Sequence, residues 1–356
     1  MNINIGKYID FQTDRFQHIN TNGGFAYSSN GLLHYIYCRS VGNDHCVICR
    51  VLSSDDGFTW SKPEILHIQD DENSFISSTS LITLKNGRML LFYSAFTNTV
   101  NMTVKMTYSD DNGYTWSPSI TCTPNKGYYI VGNDRVILTS TGRLLLPVCC
   151  HGLIEHTNAN DINMANLDTI MTPYGILMFF YSDDDGMTWH MGNNPVSINE
   201  PVSSSGLQEP GLVELGSGLI MGYARTDLGR QYEYYSFDNG MSWTPAEPSV
   251  FTSSCSAMTI KRREWDNLLI AIWNPIPNYI SQDMDIITGR QRLVYAVSRD
   301  DGNHWSEPFL IEDDPACEFS HPALFFTANH CILSYNVSLV KHSRSFRLRI
   351  RTIDVL

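Results

Sequence analysis

No stretch of this 356-residue chain approaches the roughly 18 consecutive apolar residues that a membrane-spanning helix needs, which excludes that class. Met1 to Gln12, MNINIGKYIDFQ, lacks a basic segment followed by an apolar run. No secretory signal is therefore expected, and a cytoplasmic location is. Zinc-ligand spacing is missing too. Nine cysteines form an odd set, and Cys46 with Cys49 makes a lone Cys-x-x-Cys with no second pair. His151, His156 and Asp161 match no ligand motif. The expectation is free thiols, no metal and no cofactor. Positive charge is also scarce: 24 Lys and Arg against 37 Asp and Glu leave a net charge of -13. That balance argues against nucleic acid and anionic membranes as partners. It leaves room for a small anion, because a local arginine cluster can outweigh the global field.

What the chain has in excess is one pattern, Ser-x-Asp-x-Gly-x-Thr-Trp. It occurs as SSDDGFTW from Ser53, SDDNGYTW from Ser109, SDDDGMTW from Ser182, SFDNGMSW from Ser236 and SRDDGNHW from Ser298. Five near-regular copies are an internal repeat with the period of a propeller blade. The Asp can close a turn by accepting backbone N–H groups. The Gly supplies a left-handed conformation, and the Trp covers the turn. The box acids therefore read as structural.

These repeats resemble the Asp boxes of the sialidase (neuraminidase) superfamily. The resemblance implies an all-β fold, a six-bladed β-propeller, here one domain over 1–356. Apolar and β-branched runs at Leu32–Arg39, Arg88–Phe96, Arg143–Cys150, Gly218–Arg225, Asn267–Asn274 and Cys331–Ser338 read as six second strands. The sixth blade has no box, and NINIGKYI near the N-terminus is expected to complete it and close the ring. An insertion at about 150–173 falls in a loop between second and third strands. Boxes join strands three and four, so function belongs on the opposite face.

On that face the fourth unit begins with Gln208-Glu209 and returns at Arg225, so a carboxylate and a guanidinium meet near the axis. By resemblance to sialidases, Arg225 belongs to an arginine clamp on the substrate carboxylate, and Glu209 activates a nucleophile. Arg290, eight residues before the fifth box, is similarly a second clamp residue; a guanidinium fork suits a carboxylate. Asp44, in CRSVGNDHC, is the candidate general acid/base, with Arg39 entering the same loop. The chain departs from the sialidase pattern where an arginine should open the first blade; Arg15 is the nearest substitute. It departs again where a tyrosine nucleophile should open the sixth blade. CEFSHPALFF places His321 there, and Tyr335 on the adjacent strand is the alternative. Asn133, Asp134 and Arg135 sit at a strand entrance on the same face, Asp134 as a second candidate acid. Together with QEPG…ARTD and Trp273-Asn274 they resemble a bacterial group described as exo-sialidases. Gln208, Gln231, Trp273 and Asn274 stand as further candidate sugar contacts.

Three functions follow from these readings. The first is a hydrolase of a terminal acidic sugar, sialic acid or a relative. Loss of the tyrosine also admits a uronic-acid lyase on the same fold. A second is a non-catalytic carbohydrate-binding propeller. The third is an assembly module, with the insertion as interface and a homo-oligomer as the product.

Overall fold

A computed structural model describes residues 4–11, 20–42, 45–68, 76–96, 101–153, 171–198, 203–276, 289–340 and 347–354. Among them there is no α-helix, and no helix long and apolar enough to cross a membrane. The strands form four antiparallel sheets of four and one larger sheet. The first small sheet runs Asn20–Tyr27, Leu33–Gly42, His45–Ser53, Glu64–Leu66. Two more run from Gln208–Glu214 to Glu247–Thr252 and from Thr259–Arg263 to Phe309–Glu312. In the last, Asn4–Phe11 pairs with Arg347–Asp354 beside Cys331–Leu339 and Cys317–Phe326. The expected completion of that sheet by the N-terminal strand holds. The larger sheet contains nine strands, seven of them on a main path from Ile76–Thr83 to His190–Met191 and two paired at its side. Its two halves join through one parallel pair, Tyr128 with Met102, so the second and third expected units are not separate sheets.

Alternation explains the packing. In Leu33–Gly42, Ile36 and Cys38 face one apolar cluster, shared with Leu81 and Leu91. Tyr35 and Tyr37 face another, shared with Ile332 and Leu348 of the last sheet. Side chains with period two thus fill two interfaces from one strand. Similar clusters join each unit to the next along the chain, from Leu90 with Leu146 to Ile272 with Tyr335.

The five repeats fold alike. In the third, Ser182 Oγ accepts from Gly186 N at 3.0 Å and donates to Asp184 at 2.7 Å. Asp184 in turn accepts from Thr188 N at 2.9 Å and Thr188 Oγ1 at 2.6 Å. The residue before each box Gly is itself left-handed: Asp56, Asn112, Asp185, Asn239 and Asp301 have φ between 56° and 62°. These residues also reach the first hairpin of the preceding unit. Asp185 accepts from Asn86, Asp301 accepts from Gly216 N, and the Asp56 carbonyl meets His330 Nε2 at 2.8 Å.

Candidate active site

Five other non-glycine residues are left-handed; Asn267 (φ 57°) closes a hairpin turn, and the other four lie at strand entrances: Ser78 (φ 52°), Asp134 (56°), Glu209 (49°) and His321 (52°). In three of them the strand register slips at that point, between Ser77 and Thr79, Gln208 and Gly211, and Ser320 and Ala323. A bulge of this kind re-aims a side chain out of the pleat, and left-handed non-glycine residues concentrate at functional sites.

Two of these bulges meet. His321 Nε2 lies 3.0 Å from Glu209 Oε1, across 112 residues of sequence. The other carboxylate oxygen accepts from Arg225 Nη1 at 3.0 Å. Burial pushes the Glu209 carboxyl up, but Arg225, His321 and Arg290 outweigh it and hold the group well below its ordinary range. Glu209 is therefore the charged acceptor, and His321 Nε2 carries the proton between them. His321 Nδ1 faces the Ser320 hydroxyl at 3.1 Å. A neutral ring accepts there, so a hydroxyl, an imidazole and a carboxylate lie in series.

Arg225 is bound on two sides. Besides Glu209, it donates through Nε (3.2 Å) and Nη2 (2.5 Å) to Gln208 Oε1. Gln208 is fixed in turn by donating to the Pro173 carbonyl at 2.7 Å. Burial works against the Arg225 charge, and Glu209 more than restores it. Arg290 donates to the Cys255 carbonyl at 2.7 Å. Burial and the like charge of Arg225 pull its pKa down. Two guanidiniums close enough to repel, with the Glu209 and Glu318 carboxylates and His321, form a partly buried charged centre.

Several expected site residues lie elsewhere. Tyr335 is fully buried and donates its hydroxyl to Glu312, not to Glu209, because its strand parity turns it into the apolar cluster shared with Ile272. Arg135 is 1% exposed and donates to Tyr223 Oη at 3.2 Å, so it offers no surface to a sugar. Trp273 is buried with its indole N–H on the Thr252 carbonyl. Gln231 is buried on Ser253 and Ser256. Asn274 is buried too, and it positions the wall of the site. It donates to the Arg292 and Phe319 carbonyls at 2.6 and 3.0 Å and accepts from Ser256. Asp134 is buried beside Lys261 Nζ at 3.1 Å. Burial raises its pKa against the pull of Lys261 and Arg135. Asn133 donates to the His321 carbonyl at 3.3 Å, so it touches the site from behind. Arg39 lies on its strand within the field of Tyr37 and Cys49. Asp44 and Arg15 lie outside the described residues, as do His156 and Asp161. Among the described residues no group of three or more His, Cys, Asp or Glu could hold a metal.

Sequence reasoning missed Ser320, Lys261 and the Cys255 carbonyl. A serine beside a histidine and a carbonyl at a loop carry no motif.

Residues 81–333 match the family model for the BNR repeat-like domain. The chain belongs to this family, within the sialidase superfamily. A sialidase of Paraclostridium sordellii is 28% identical over 220 residues, 55% of this chain and 49% of that protein. The chain thus spans about half the length of that relative. A sialidase of Clostridium perfringens is 25% identical over 335 residues, covering 83% of this chain and 80% of that one. A protein of unknown function from Dyadobacter fermentans superposes with a TM-score of 0.73 at 14% identity, covering 99% of both chains. Trypanosoma rangeli sialidase in complex with sialic acid gives 0.68 at 14% identity, covering 99% of this chain and 59% of that one. At such identities the structural likeness speaks for the fold alone.

Proposed function

We propose that this protein is a closed six-bladed propeller that hydrolyses a terminal acidic sugar, with His321 and Glu209 as the reacting pair. The ring is supported by the succession of apolar clusters, one of which joins the first sheet to the last. The observation that carries the function is the 3.0 Å contact of His321 with Glu209, set between Arg225 and Arg290. The two arginines supply positive charge for a carboxylate on the sugar. Sialidases are similar to this chain in sequence, and one similar structure holds sialic acid, which supports sialic acid or a relative as the ligand.

The chemistry of the pair differs from that of a tyrosine nucleophile. Glu209 accepts the Nε2 proton of His321 and so orients the ring with Nδ1 free to act as the base. As a water attacks the anomeric carbon, its proton passes to the Ser320 hydroxyl while the serine proton moves to Nδ1. The leaving oxygen is protonated by an acid, for which Asp44 remains the candidate. Direct attack by water inverts the anomeric centre. The same pair suits abstraction of a proton beside a sugar carboxylate, and that favours a uronic-acid lyase as the second reading. Nuclear magnetic resonance of the first product distinguishes the two: an inverted free sugar supports hydrolysis, an unsaturated sugar supports elimination. Binding of the acidic sugar without either product would leave a carbohydrate-binding propeller.

A further inference from the structure

Behind the site face lies a second group of charged and polar side chains that the reaction above does not use. Arg135 is 1% exposed, and its Nη1 donates to Tyr223 Oη at 3.2 Å. No acceptor among the described residues meets its Nε or Nη2. Those two N–H groups form the edge of the guanidinium that grips planar or small anions. Tyr234 is fully buried, and its hydroxyl likewise has no partner among the described residues. Its phenol lies in the field of both Tyr223 and Arg135. Arg135 Nε and Nη2 and the Tyr234 hydroxyl are thus buried donors without an acceptor among the described residues.

The charges do not balance either. Asp134 is the neighbouring carboxylate, but Lys261 Nζ holds its Oδ1 at 3.1 Å and also reaches its backbone carbonyl. With that pair neutralised, the charge of Arg135 is left over. A buried cation without a counter-ion keeps its desolvation penalty uncompensated. The geometry points to a small monovalent anion, of chloride size, bound by Arg135 Nε and Nη2 and the Tyr234 hydroxyl. Full burial leaves no path for a larger acid, and a halide needs only donors. Its competitor is a water bridging Arg135 to Asp134 Oδ2, which also has no partner among the described residues. The anion would brace the segment that carries Asn133, whose side chain donates to the His321 carbonyl.

The test uses the full chain. Crystals grown in sodium bromide and measured at the bromine edge should show an anomalous peak in contact with Arg135 Nε and Nη2. Thermal unfolding in chloride or bromide should exceed that in gluconate at equal ionic strength by roughly 2–5 °C, with saturation. The near-isosteric Tyr234→Phe should raise the half-saturating bromide concentration about three- to tenfold. A water oxygen at the fork with no anomalous signal would overturn the assignment. So would melting curves that coincide in the two salts, or a saturation that Tyr234→Phe leaves unmoved.

Discussion

Glu209 adopts a left-handed conformation with φ of 49°, a geometry that costs about 1–3 kcal/mol for a non-glycine residue. Its return is contact with His321 and Arg225 at once. The same pairing has a pH signature. A carboxylate held below its ordinary range stabilises the fold above its unfolded pKa of roughly 4.3 and loses that contribution as pH falls through the folded value. Wild-type melting temperature should therefore drop more steeply below about pH 4.3 than that of Glu209→Gln. Equal acid limbs would show that Arg225 and His321 do not hold the charge. The identity of Glu209 and Arg225 was legible from the stretch QEPG…ARTD and its resemblance. That His321 faces Glu209 was legible only as a gap where a tyrosine was expected. Tyr335 shows the limit. Sequence placed it one strand away, but parity turns it into the core on Glu312. Tyr335→Phe should leave glycoside turnover unchanged and lower stability by about 1.5–3 kcal/mol, the worth of a hydrogen bond to a charged acceptor.

The strand-turn-strand element with its box was the most legible feature, because every partner lies within four residues. Ser182, Asp184, Gly186 and Thr188 close a network that needs no tertiary information. Asp184→Ala should cost about 1–2 kcal/mol, measured by urea unfolding, with no loss of turnover. A large loss of turnover without unfolding would contradict the structural reading of the boxes. Strand-entrance bulges were not legible. Nothing in the local sequence around Ser78, Glu209 or His321 marks a left-handed residue, and the register slip depends on the partner strand. The joining of the second and third units by Tyr128 and Met102 was equally hidden, since a lone parallel bridge has no periodicity to betray it.

For the whole molecule, distance along the chain decides what could be read. The second strands were legible by alternation, and the N-terminal strand by the need to cover an edge. What holds that strand is a half-buried ionic clasp. Arg349 pairs with Asp10 at 2.7 Å and with Glu312 at 3.0 Å, under the ring of Tyr8. Asp10→Asn should loosen this strand pairing, lowering stability by about 1–3 kcal/mol and raising hydrogen exchange first in Asn4–Phe11 and Arg347–Asp354. Uniform exchange would deny the clasp a local role. The central claim is that a histidine–carboxylate pair from two distant strands performs the chemistry, and its most direct test is turnover of a fluorogenic sialic-acid glycoside by wild type, Glu209→Gln and His321→Asn. Hydrolysis by the wild type, with each variant reduced at least about a hundredfold in kcat, is the predicted result. Undiminished turnover by His321→Asn would contradict it.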